Sequence, residues 1–148
     1  MRVIYFGSYN YNYPRNRTLI DGLRMHGVEV IEIHDRSRFF LKLWRLFWKH
    51  WKYRGSYDFM IIGFPGFTIL PFAKLIATAP IVFDAFLSYY DANVLDRQVC
   101  SPKSPRAKYF YFLDWLSCRV ADLVLLDTQE YVRYFAKTYK VSEDKFHR

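Results

Sequence analysis

Short uninterrupted apolar runs, spaced so that a helix fits between each pair, constrain this chain more than any other feature. Val3–Phe6, Phe59–Ile62, Ile81–Phe83 and Leu123–Leu126 are continuous rather than alternating. Such runs suit parallel strands covered on both faces, whereas a half-solvated strand alternates apolar with polar. Strands are therefore expected at Arg2–Gly7, Val28–Ile33, Tyr57–Ile62, Pro80–Asp84 and Asp122–Asp127. The second is more mixed, Val28-Glu29-Val30-Ile31-Glu32-Ile33, which places it nearer an edge. The segment Val141–Arg148 reads as the approach to another strand.

Helical patterns fill the gaps. The first begins after Pro14, near Arg15 or Asn16, and closes at Gly27, a residue suited to a left-handed cap. Others are expected over Ser37–Arg54, Phe67–Ala77, Ser104–Ala121 and Thr128–Tyr139. Ser104-Pro105 and Thr128 have the chemistry of helix starts, a proline in the first turn and a hydroxyl cap. Strand–helix alternation at this spacing specifies a single Rossmann-like α/β domain over residues 1–148. The expected fold is a three-layer sandwich with a mostly parallel central sheet of five or six strands.

Of the 22 Lys and Arg, seven lie between Arg36 and Arg54, and none of the 14 acidic residues does. The net charge of +8 is thus mostly the property of one segment, which also holds three of the four Trp. Wound as a helix, Arg38, Lys42, Arg45, Lys49 and Lys52 fall within about 80° of arc. Apolar residues, Trp44, Trp48 and Trp51 among them, occupy about 240° of the rest, wider than packing on one sheet requires. Three readings are open: an interfacial membrane helix, a core helix with a solvated cationic face, and a nucleic-acid contact. The aromatics lie away from the basic stripe, which argues against nucleic acid and for an anionic membrane surface. The longest uncharged stretch, Phe59–Ala73, has 15 residues and is broken by Gly63, Pro65, Gly66 and Pro71, too short to span a bilayer. Cys100 and Cys118 are isolated, and the four His show no ligand spacing, so neither a disulfide scaffold nor a metal site is expected. The amino-terminus has no signal-peptide pattern; the expected location is the cytoplasm, peripheral at the inner membrane face.

In a sheet of this kind ligands bind beyond the carboxyl ends of the strands, near the reversal of strand order. The loop after the first strand carries Gly7, Ser8, Tyr9, Tyr11, Tyr13, Arg15 and Arg17. It lacks G-x-G-x-x-G and G-K-[ST], so neither a dinucleotide fingerprint nor a P-loop is present. Its arginines at a helix start could hold a phosphate and its tyrosines a sugar ring, or the loop could simply be solvated. Gly63, Pro65 and Gly66 could admit a ligand to the backbone, or merely link strand to helix. Asp84 leaves a buried strand and needs either a partner or a function, which makes it the candidate general base. Asp91 and Asp96 follow as possible hydroxyl-binding groups, or as helix caps.

These residues also carry a resemblance. Arg2-Val3-Ile4-Tyr5-Phe6-Gly7, then Tyr13-Pro14-Arg15-Asn16-Arg17 opening a helix that closes at His26-Gly27-Val28-Glu29-Val30, resembles the amino-terminal half of family 4 glycosyltransferases of GT-B architecture. Tyr57-Asp58, Pro80-Ile81-Val82-Phe83-Asp84 and Ala121-Asp122-Leu123-Val124-Leu125-Leu126-Asp127-Thr128 extend it along the whole chain. The resemblance implies an acceptor-binding domain that takes no cofactor itself. The nucleotide-sugar donor would sit on a carboxyl-terminal domain, in cis or on a second chain. The acceptor would be lipid-linked or a cell-envelope polysaccharide. Arg15 and Arg17 would face an acceptor phosphate and Tyr9, Tyr11 and Tyr13 a sugar. Phe86 stands where many members have a histidine, which leaves Asp84 as the catalytic candidate. The alternative expectation is a non-catalytic membrane-anchoring module that recruits a separate donor-domain partner.

Overall fold

The computed structural model describes residues 1–148, the side chain of Phe39 excepted. In chain order the main elements are β1 (Arg2–Gly7), α1 (Pro14–Met25), β2 (Glu29–His34), α2 (Phe39–Trp51), β3 (Phe59–Ile62), α3 (Leu70–Ile76), β4 (Ile81–Phe86), α4 (Pro105–Val120), β5 (Leu123–Leu126), α5 (Gln129–Tyr139) and β6 (Phe146–His147). All six strands are parallel, in the order β2-β1-β3-β4-β5-β6. The architecture is a Rossmann-like three-layer α/β sandwich, as the apolar runs require. β2 is an edge strand, and its mixed composition follows from that position.

The helices are shared unequally between the two faces. From β1 the chain steps one way to β2, then back past β1 and outward, and right-handed crossovers put α1 alone on one face. There Ile20 packs with Val3, Tyr5, Tyr9, Val28 and Ile61. The opposite face carries α2 to α5 over the larger core, where Ile4, Phe6, Met60, Ile62, Phe83 and Val124 meet Leu46, Leu70, Leu113 and Phe135.

The helix signals operate as expected. Ser104 Oγ accepts from Ala107 N at 3.1 Å and Thr128 Oγ1 from Tyr131 N at 3.2 Å. Gly27 follows α1 at φ 74°, a conformation glycine adopts without strain. Two segments differ from expectation. α3 starts at Leu70 rather than Phe67, because Ile69 N and Leu70 N both turn back to Gly66 O. Between β4 and α4, a π-helical turn forms over Asp91–Asp96. Its start is held from outside: the fully buried Asp114 of α4 accepts from Tyr89 N (2.9 Å), Tyr90 N (2.8 Å), Ser88 Oγ (2.9 Å) and Tyr139 OH (3.1 Å). Burial pushes the Asp114 carboxyl up to about 6, against the pull of these donors.

Candidate functional site

Strand order reverses between β1 and β3, so the loops at their carboxyl ends flank the position where such sheets take ligands. Asn16, fully buried in the first turn of α1, ties these loops together. Its Oδ1 accepts from Tyr5 OH at 2.8 Å, and its Nδ2 donates to Asn10 O at 3.1 Å and to Phe64 O at 2.9 Å. Every polar atom of the amide is therefore engaged in fixing the rim. The glycines of the β3 loop are required by the protein's own packing. A Cβ on Gly63 would meet the Tyr5 ring at 2.4 Å, and one on Gly66 would meet Ile62 Cγ2 at 2.4 Å and Gly63 O at 2.9 Å. Their bareness seats the loop on the core and does not by itself admit a ligand.

Arg15 and Asp84 occupy the next position along the rim, and they occupy each other. The guanidinium reaches Asp84 from Nε (2.7 Å to Oδ1, 3.0 Å to Oδ2) and from a terminal nitrogen (2.7 Å), and touches Asp127 Oδ1 at 3.3 Å. It also lies 4.4 Å over the Phe86 ring. The Asp84 side chain is 0% exposed. Burial raises its pKa, while the Arg15 hydrogen bonds and charge oppose that shift. Of the two readings open for Asp84, a partner or a function, the structure supplies the partner, and Arg15 pairs with two carboxylates, Asp84 and Asp127. Phe86 ends β4 at φ 62°, next to a register shift against β5. That conformation is costly for a bulky side chain. Its ring packs edge-on against Phe64 at 5.4 Å.

The open space lies beside this cluster. A cleft of about 410 Å³ is lined by Asn10 and Tyr13 from the β1 loop, Phe64 and Pro65 from the β3 loop, and Leu87, Tyr89, Ala92, Asn93 and Arg97 from the β4 connection. Its walls are aromatic and aliphatic; its polar groups are the Tyr13 and Tyr89 hydroxyls, the Arg97 guanidinium and two amides, of which Asn10 Oδ1 also accepts from Asn12 N at 3.1 Å and Asn93 Nδ2 donates to Tyr89 O at 2.8 Å. Among the described residues no carboxylate pairs with Arg97, in contrast to Arg15. Such a cleft can hold a ring by its C–H face, its hydroxyls by amides, and an anionic substituent by the guanidinium.

Of the sequence-selected residues, Tyr13 and Pro65 line this cleft. Tyr9 does not. It is buried in the smaller core against Tyr5 and His34, and its hydroxyl donates to Glu32 at 3.1 Å. The Tyr11 hydroxyl donates to Asp21 at 3.2 Å. Gly7 is buried at φ 144°, Ser8 half-buried, and Arg17 exposed on the first turn of α1, outside the cleft lining. Asp91 faces α5, accepting from Tyr134 OH at 3.2 Å, and its own N–H goes to Ser88 Oγ at 2.9 Å. Asn10, Phe64, Tyr89, Asn93 and Arg97 are additions made by the fold. Only their position in the loops after β1, β3 and β4 could have pointed to them.

Helix α2 divides into three faces. Leu46 and His50 are buried with Leu43 beside them. Tyr57 OH accepts from Thr78 N at 2.9 Å and shares a hydrogen bond with His50 Nε2, also 2.9 Å away; burial holds the His50 pKa below its usual value. The basic stripe comes next. Lys49 Nζ donates to His34 O at 2.7 Å, and Lys49 and Arg45 lie 3.5 and 3.8 Å from Asp35. Burial would raise the Asp35 pKa, but Ser37 and these cations hold it below the usual range. Arg38 and Lys52 are exposed and Lys42 half-buried. The third face, Phe40, Trp44, Trp48 and Trp51, spans about 80° of arc. It is solvent-exposed, with Trp44 at 62%. The excess apolar arc read from the sequence is therefore real. Among the described residues no helix is long and apolar enough to cross a membrane.

Comparison with known protein families and with curated proteins gives no match to this sequence.

Proposed function

We propose that this chain is the acceptor-binding half of a glycosyltransferase, of the kind its sequence resembles, working at an anionic membrane surface. The observation that carries this reading is the cleft at the strand-order reversal, with Tyr13, Phe64 and Tyr89 as stacking faces and Asn10, Asn93 and Arg97 as polar groups. Aromatic faces with a few convergent amides are the chemistry of sugar recognition, because a pyranose presents apolar C–H faces and a polar rim. Arg97 takes the role first expected of Arg15, meeting a phosphate or carboxylate on the acceptor.

The transfer itself requires a nucleotide-sugar donor held by a second domain facing the cleft. This chain's contribution is to fix the acceptor, exclude water from its bound face and present one hydroxyl outward. Asp84 acts through Arg15: the pair sets the rim of α1 against β4, and so the position of Tyr13. The exposed face of α2 supports an acceptor that is lipid-linked, since it would bring the cleft to the surface where such acceptors reside.

Titration of the purified chain with lipid-linked and free oligosaccharides tests the reading. Acceptor binding is expected, weakened by Tyr13→Ala and, for anionic acceptors alone, by Arg97→Ala. Sugar transfer by the purified chain without a second polypeptide would overturn it. Membrane binding with no acceptor binding would instead support a non-catalytic anchoring module.

A further inference from the structure

Helix α4 carries a second surface of the same chemistry as α2. Between Lys103 and Arg119 the only carboxylate is Asp114, and it is fully buried beneath the four donors described above. The outward side of α4 therefore presents Lys108 and Arg119 with no acid between them. Phe112, 48% exposed, lies on the same stripe, with Tyr109 and Tyr111 on either side of it. Phe112 stacks on Trp115 at 5.7 Å, and Arg119 lies 4.2 Å over the Trp115 ring. Phe112 lies outside the core, which α4 meets through Phe110, Leu113 and Cys118, whereas Tyr111 packs on Tyr139 at 5.3 Å and donates to Thr138 O at 3.2 Å.

α4 and α2 lie in one layer, on the same face of the sheet. α3 sits between them: Leu75 and Ile76 lie beside Phe47 and Trp51 of α2, and α3 packs directly on α4. Leu75 points outward at 86% exposure. Exposed apolar groups thus occur on all three neighbouring helices of this layer, Trp44, Trp48 and Trp51 on α2, Leu75 on α3 and Phe112 on α4.

We propose that α4 is a second membrane contact, so that the helical layer as a whole, rather than α2 alone, lies on an anionic bilayer. The proposal rests on the membrane reading of α2. Charge selects the occupant: a second copy of this chain would bring cations against cations, whereas anionic lipid complements both helices. Aromatic rings beside Lys and Arg are suited to the headgroup level, where the rings enter and the cations stay at the phosphates.

Trp115 is the one tryptophan outside α2, and it makes the test specific. The full chain carrying W44F/W48F/W51F keeps an aromatic α2 and leaves Trp115 as sole emitter. It is mixed with phosphatidylglycerol vesicles bearing brominated acyl chains, with brominated phosphatidylcholine vesicles as the control. The expected result is roughly twofold or greater loss of Trp115 emission on the anionic vesicles, as for a ring about 5–10 Å into the interface, and little loss on the neutral ones. In the wild-type background K108A/R119A is expected to weaken binding roughly thirtyfold, from two charges each giving about fivefold. Flotation with Trp115 emission unchanged would overturn the α4 contact and leave the α2 reading standing. Absence of wild-type flotation would overturn both. Self-association that hides Trp115 from lipid would assign the surface to a second copy and also overturn the proposal.

Discussion

Helices α2 and α5 cover the same face of the sheet, and both are amphipathic, but their outward residues differ in kind. α5 has a Thr128 cap, Glu130 in its first turn, Lys137 in its last, and a left-handed Lys140 at its end. It buries Val132, Phe135 and Tyr139 and turns Glu130, Arg133 and Lys137 to solvent. α2 has no side-chain cap and no acid in its first turn, buries Leu46 and His50, and turns three tryptophans outward. Coverage of a sheet uses one stripe of a helix, and the chemistry of what remains shows whether the helix has a second task. For α5 the remainder is solvated charge and Tyr134, whose hydroxyl is tied to Asp91; for α2 it is a row of exposed tryptophans.

The contrast makes stability and binding separable, and substitutions can break it. Phe135→Ala, on the buried side of α5, is expected to cost about 3–5 kcal/mol in chemical denaturation. Leu46→Ala, its counterpart on α2, is expected to cost about 2–4 kcal/mol, since the helix is docked through fewer buried residues. Arg15→Ala should cost about 2–3 kcal/mol by leaving Asp84 buried without its cation, less than for a fully buried pair because Arg15 is 20% exposed. Arg15→Ala/Asp84→Asn together should recover part of that loss.

A smaller effect concerns pH. Because the folded-state pKa of His50 lies below its usual 6.5, the unfolded chain takes up the proton first as pH falls. The stability contributed by neutral His50 is thus complete above about pH 6.5 and is lost as pH falls below that value toward the lowered folded one. Melting curves between about pH 7.5 and about pH 5.5 should show this loss, and His50→Gln, which can hydrogen-bond Tyr57 without titrating, should reduce the slope. The smallest stability effect belongs to the outer face: Trp44→Ala and Trp48→Ala are each expected within about 0.5 kcal/mol of wild type.

What was legible in the sequence follows from how local each signal is. Continuous apolar runs identified β1, β3, β4 and β5, the mixed Val28–Ile33 segment β2, and Ser104, Thr128 and Gly27 marked helix ends, because those effects act within a few residues. The three-faced division of α2 could be drawn on a wheel for the same reason. The π-helical turn at Asp91–Asp96 could not, since Asp114, remote in sequence, fixes its start. The cleft was legible only as a set of loops. Tyr9 and Tyr13 look alike in the sequence, yet one packs in the smaller core and the other lines the cleft. Arg15 and Asp84 look like chemistry in a linear reading because the residue that neutralises each is remote. Among the described residues no carboxylate pairs with Arg97, and that distinction exists only in three dimensions.

The most direct measurement is flotation of wild type and the Trp44→Ala/Trp48→Ala/Trp51→Ala variant on vesicles rich in phosphatidylglycerol, with thermal melts in parallel. The expected result is that wild type floats, the variant stays at the bottom of the gradient, and the two melt together. Equal flotation of the two proteins, or failure of wild type to float, would contradict a membrane role for the outer face of α2.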